Sequence, residues 1–145
     1  MIDRDKLDEL YDSVVQMASS LLEKNGEFFP IGATVGVDGT VTHVGFHNGD
    51  EHPESQAVID GLTAIHKQQA ASGEILASAI AFDVRVRSPE TGDAVDAVMT
   101  RIRAADYARD VVLPYTLRTS GLFKKSRSLE VGQPSASEGE QDVFS

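Results

Sequence analysis

Ile75-Leu76-Ala77-Ser78-Ala79-Ile80-Ala81-Phe82-Asp83-Val84-Arg85-Val86-Arg87 is the clearest strand in the chain. Leu76, Ile80, Phe82, Val84 and Val86 alternate with Ala77, Ala79, Ala81, Asp83, Arg85 and Arg87, and a period of two puts the two sets on opposite faces of a sheet. Ser88-Pro89-Glu90-Thr91-Gly92 then reads as a turn. Over residues 94–104, Val95, Val98, Met99 and Ile102 fit a helix. The alternation of Val98, Thr100 and Ile102 against Met99, Arg101 and Arg103 fits a strand, and the short flanking turns favour it. Residues 109–118 read as a further strand, with Val111, Leu113, Tyr115 and Leu117 on one face. Pro114 lacks an N–H and marks an edge or a bulge there.

Outward from this core, residues 3–25 read as an amphipathic helix. Leu7, Leu10, Tyr11, Val14, Met17, Ala18, Leu21 and Leu22 recur at three- and four-residue spacing, with Asp3 as N-cap and Asn25-Gly26 as stop. Residues 30–47 read as a hairpin around Asp38-Gly39, a two-residue turn sequence. That register pairs Val37 with Thr40, Val35 with Thr42, Ala33 with Val44 and Ile31 with Phe46, on the face toward the core. His43 and His47 fall on the other face. Residues 53–72 read as a second helix, opened by Pro53 and closed by Ser72-Gly73. At 1.5 Å per residue it spans about 27–30 Å. A five-stranded sheet is roughly 19 Å across, so the helix can cross it.

The expected fold is therefore α+β, in the order α-β-β-α-β-β-β. A single five-stranded antiparallel sheet has both helices packed on one face, and a strand order 2-1-5-4-3 fits. Residues 1–131 form one domain. Residues 132–145, with Gln-Pro-Ser-Ala-Ser-Glu-Gly-Glu-Gln-Asp at their centre, read as a mobile acidic tail.

The chain has 145 residues and a net charge of −10. A domain of this size buries roughly 70% of its unfolded surface, enough for a core without staples. There is no cysteine, which excludes disulfides, thiolate nucleophiles and Cys-ligated zinc. The acidic balance argues against nucleic acid as partner, because phosphate binding needs a positive footprint. No run approaches the ~18–20 apolar residues of a membrane span. The first residues carry acids where a signal peptide carries bases. The expectation is a cytoplasmic chain that meets neither nucleic acid nor membrane.

The element order and crossing helix resemble the Roadblock/LC7 and profilin-like sheets over residues 3–118. Glu27-Phe28-Phe29-Pro30-Ile31-Gly32, Asp50-Glu51-His52-Pro53 and Ala81-Phe82-Asp83-Val84-Arg85 are similar to a family of small bacterial proteins of unknown function, a likeness that carries no mechanism.

Catalytic motifs are few. His52-Pro53-Glu54 is similar to the His-x-Glu of zinc-dependent nucleoside deaminases, but that site needs two cysteine ligands. His43 and His47 are about 13 Å apart along a strand, too far to share a metal. Asp50, Glu51 and His52 read as a solvated loop. No phosphate-binding glycine loop and no nucleophile elbow occur, and no cofactor is implied. Phe28-Phe29-Pro30 reads as a staple between the first helix and the sheet. Lys124-Lys125-Ser126-Arg127 reads as a solvated basic run.

The arginines are more informative. With the parities above, Arg85, Arg87, Arg101, Arg103 and Arg118 all lie on the sheet face opposite the helices, with His43 on that face and Asp83 beside it. Five guanidinium groups on one face reverse the local sign of an acidic protein, and their fork suits carboxylate or phosphate. Two functions follow as expectations. One is a non-catalytic interaction or adaptor protein that self-associates or binds another protein. The other is a binding protein or enzyme that holds an anionic small molecule on the arginine face.

Overall fold

The computed structural model describes residues 2–45, 54–88, 90–122 and 126–144. Two helices, α1 (Arg4–Asn25) and α2 (Ser55–Ala71), accompany strands β1 (Ile31–Gly36), β2 (Val41–Val44), β3 (Ile75–Arg87), β4 (Ala94–Ala104), β5 (Tyr107–Ser120), β6 (Ser126–Val131) and β7 (Ser135–Glu138). The α+β class is as expected, and residues 94–104 are a strand. The antiparallel sheet has seven strands rather than five, in the order β2-β1-β3-β4-β5-β6, with β7 also on β5. No helix among the described residues is long and apolar enough to cross a membrane.

α1 forms where its sequence dictates. The Asp3 carboxylate accepts the Lys6 N–H at 2.9 Å, and Gly26 closes the helix at φ 79°, where a side chain is disfavoured. Leu7, Leu10, Val14, Ala18 and Leu22 form its buried stripe. They lie on Ala33 and Val35 of β1, Ala77, Ala79 and Ala81 of β3, and Val98 and Ile102 of β4. The small alanines let the helix approach the sheet closely.

α2 packs on the opposite face. Val58, Ile59 and Leu62 meet Ile80 and Phe82, which alternate along β3 with the alanines beneath α1 and so point the other way. The expectation of both helices on one face is thereby corrected. Ile75–Phe82 is apolar on both parities, the pattern of a strand covered on both sides. For the same reason β3 is central, paired with β1 and β4. The order 2-1-5-4-3, which makes it an edge strand, is replaced by a β3-β4-β5 meander joined to β1.

The first hairpin is also one residue out of the expected register. Val35 faces Val41 and Ala33 faces His43. Gly39 donates to the Gly36 carbonyl at 2.9 Å and has φ 85°. Val37-Asp38-Gly39 is thus a three-residue loop ending in a left-handed glycine, not a two-residue turn. The Asp38 carboxylate accepts the Thr40 N–H at 3.0 Å, which holds its pKa below the usual range. A one-residue slip moves every side chain of β2 to the other face, and His43 joins the α1 side. Phe46, His47, Asp50, Glu51, His52 and Pro53 lie outside the described residues.

The segment expected as a mobile tail beyond residue 131 is placed in the fold. β6 and β7 run in succession along the outer edge of β5. Between the pairs Tyr115↔Val131 and Val112↔Ser135, three steps on β5 face four on the other side. The extra residue is a bulge, and Gly132 donates there to the Pro114 carbonyl at 2.8 Å. Pro114 thus faces the irregularity its missing N–H suggested.

Candidate functional site

The arginines do not form one patch. β3 and β4 are joined so that Arg87 faces Ala94 and Arg85 faces Asp96. An even number of residues in that connection, 88–93, pairs odd positions with even ones. Arg85 and Arg87 therefore lie on the α1 side with Asp83, whereas Arg101 and Arg103 lie on the α2 side. Arg118 also faces the α2 side, because Val112, Pro114 and Thr116 alternate with the α1-side Val111, Leu113 and Tyr115 along β5.

Each group has a local partner. Arg85 meets Asp96 at 3.3 Å, and Arg87 donates to the Gly92 carbonyl at 2.7 Å. Arg118 meets Glu130 at 2.9 Å. Arg101 lies over the Phe82 ring, 5.0 Å from its centroid. His43 Nε2 is 2.8 Å from the Ser13 hydroxyl of α1. The anion-binding face expected from Arg85, Arg87, Arg101, Arg103 and Arg118 is thus divided between two sides of the sheet.

Arg103 has the most demanding surroundings. Its side chain is 3% exposed, and its Nε–H donates to Asp142 and its Nη1 to Asp110, both at 2.9 Å. Nη1 also donates to the Arg109 carbonyl at 3.1 Å. Asp142 belongs to the C-terminal segment, which Arg103 ties to the sheet. Gln141 Nε2 donates to the Ala104 carbonyl at 2.8 Å, and Val143 is buried. A side chain at Gly139 would stand 2.7 Å from Arg103 Nη1, so only glycine lets the backbone pass this close. No sequence spacing signals this pair, since Arg103 and Asp142 are far apart in the chain.

On the α1 side, the Tyr115 hydroxyl donates to Asp83 at 2.8 Å. Burial raises the pKa of Asp83, and the Tyr115 hydrogen bond opposes that rise. Burial, then the Asp83 carboxylate, pushes the Tyr115 phenol well above its ordinary value. Tyr115→Phe should cost about 1 kcal/mol of stability, the scale of one hydrogen bond, and should raise the Asp83 pKa further. A carboxyl-carbon NMR titration of both proteins checks the direction.

The α2 side carries a partly buried apolar block beside the helix. α2 lies over β3 and β1 and makes no substantial contact with β5. Past it, Val84 and Val86 of β3, Val95 and Met99 of β4, and Val112 and Pro114 of β5 share this face and are each only partly buried. The register sets them side by side: Val86↔Val95, Met99↔Val112 and Ala97↔Pro114. Ala97 is fully buried in the floor between the larger side chains. Arg101 borders the block on one side, and the Arg118–Glu130 pair borders it on another.

Beneath α2 itself, His66 is fully buried, and neither ring nitrogen has a hydrogen-bond partner among the described residues. A Cβ on Gly32 would stand 3.1 Å from the imidazole, so the glycine makes room for the ring. Burial lowers the His66 pKa from 6.5 to about 4. No group of three or more His, Asp or Glu suited to a metal occurs among the described residues.

No family model matches the chain, and neither a curated protein nor a solved structure is significantly similar to it.

Proposed function

We propose that this chain is a non-catalytic interaction protein that associates with a second copy of itself through the open part of the α2-side sheet face. The supporting observation is the contiguous block of Val84, Val86, Val95, Met99, Val112 and Pro114 on three neighbouring strands, each partly exposed, of which Val84 and Met99 also pack against the α2 cluster. Two such faces pack about 10 Å apart, as in a sandwich, and each fills the other's troughs. The rim favours self-pairing. It holds both signs, Arg101 and Arg118 against Glu130, so a two-fold axis can set one copy's cation on the other's acid. Acidic α1, with Asp5, Asp8, Glu9 and Asp12, lies on the other side of the sheet and stays in water.

Val112→Glu tests the reading. Its side chain is on the open face, so the charge reaches water in the monomer and is buried unpaired in the dimer. The variant should keep the wild-type circular dichroism and elute as a monomer where the wild type elutes as a dimer. Equal elution of the two as dimers would place the contact elsewhere.

A further inference from the structure

A second feature lies on the α1 side, away from the proposed dimer face. The first two turns of α1 and strands β5 and β7 line an open cavity of about 210 Å³. Its apolar lining comes from Leu7 of α1, Ile102 of β4, Val111 of β5 and Ala136 of β7. Val111 and Ala136 are directly paired across the β5–β7 edge, so the C-terminal edge strand completes the wall. The volume falls below the ~300–1,000 Å³ of sites for drug-sized ligands, and the body it admits is one ring or a short branched chain.

The cations at this cavity gather on one aromatic ring. Tyr107 lines it, and two guanidinium groups stand over that one ring, Arg4 at 5.3 Å and Arg109 at 5.5 Å from its centroid. Among the described residues neither has a carboxylate within 4.0 Å. Arg109 donates only to the neighbouring Ala108 carbonyl, at 2.9 Å. Arg4 and Asp8 are the charged residues of the lining, and Arg109, paired across the edge with Glu138, brings a second guanidinium to Tyr107 beside it. Like charges gathered on one ring repel, and an anion set between them relieves this. Tyr11 closes the opposite wall, its phenol pKa raised by burial and by Asp12.

The geometry points to a binding site for a small carboxylic acid with an apolar body. The body fills the cavity between Leu7, Tyr11, Val111 and Ala136, and the carboxylate takes charge-assisted hydrogen bonds from Arg4 and Arg109. Sequence reading missed both arginines. Arg4 sits in the first turn of an amphipathic helix, and Arg109 shares the strand face of Val111 that the alternation assigns to the core.

The probe is phenylacetate, compared with phenylacetamide, which has the same shape and no charge. Each is titrated into the full chain and followed by the tyrosine ring signals and by calorimetry. The expected result is perturbation of Tyr107 and Tyr11, with the acid bound about tenfold more tightly than the amide. The R4A/R109A double variant should bind the two alike, and Ala136→Phe, which fills the cavity from the exposed edge strand, should bind neither. The melting temperature of each variant is the control for folding. The inference is overturned if acid and amide bind alike to the wild type, or if the double variant keeps the preference. It is overturned equally if neither probe binds, including the case in which only a peptide with a free C-terminus does. None of these outcomes bears on self-association, which uses the other face.

Discussion

Arg103→Ala should lower the unfolding free energy by about 3–5 kcal/mol, the range for breaking a buried ion pair by removing one partner. The guanidinium is almost fully buried, and it satisfies Asp110, Asp142 and two backbone carbonyls at once. Asp110 and Asp142 keep 24% and 29% exposure, so water takes up part of their loss and the lower half of the range applies. The same change should release the C-terminal segment, because Asp142 is its charged tie to the sheet. Hydrogen exchange at residues 139–144 would then rise toward the unfolded rate while β3 and β4 stay protected. Denaturant melts and exchange together check this. A loss below about 0.5 kcal/mol, the scale of surface changes, would mean that the segment is not held through Arg103.

Acid should destabilise the protein through His66. In the unfolded chain the imidazole titrates near 6.5, and in the fold at about 4. Between those values the unfolded state holds the extra proton, so stability is full above pH 6.5, falls as the pH drops toward 4, and levels off below. The shift is worth about 3 kcal/mol. His66→Leu removes the titrating group and keeps the volume apolar, so its stability should change less over this interval by about that amount. Chemical denaturation of both proteins at pH 7 and pH 4.5 is the check, and parallel losses would show that another group carries the acid sensitivity.

Much of the fold was legible because its signals are local. The Asp3 cap, the Leu7–Leu22 stripe and the Gly26 stop define α1 without tertiary information. The alternation in 75–87 defines β3, and the short flanking turns decide for a strand over 94–104, where a helix also fits. What failed was parity, which depends on loop geometry. Asp38-Gly39 suits a two-residue turn, and a three-residue loop with Gly39 in the left-handed region suits the same letters. That one residue moved His43 to the α1 side of the sheet. The even connection at 88–93 separated Arg85 and Arg87 from Arg101 and Arg103 in the same way. Both errors act on faces and leave the elements intact, which is why the strands were found and the expected arginine patch was not.

The C-terminal strands were hidden for another reason. Ser135-Ala136-Ser137-Glu138 has little preference for a strand and no apolar alternation. It pairs with β5 through its backbone, and its neighbour Asp142 meets a buried arginine from another hairpin. Such contacts have no period in the sequence. The open apolar face likewise emerges only when β3, β4 and β5 are set in register, since Val86, Val95, Val112 and Pro114 are scattered along the chain.

Sedimentation velocity of the wild-type chain, from low micromolar to submillimolar concentration, tests self-association most directly. The account predicts a reversible shift from the 15.6 kDa chain mass to twice that value as concentration rises. A single 15.6 kDa species across the whole range would contradict it.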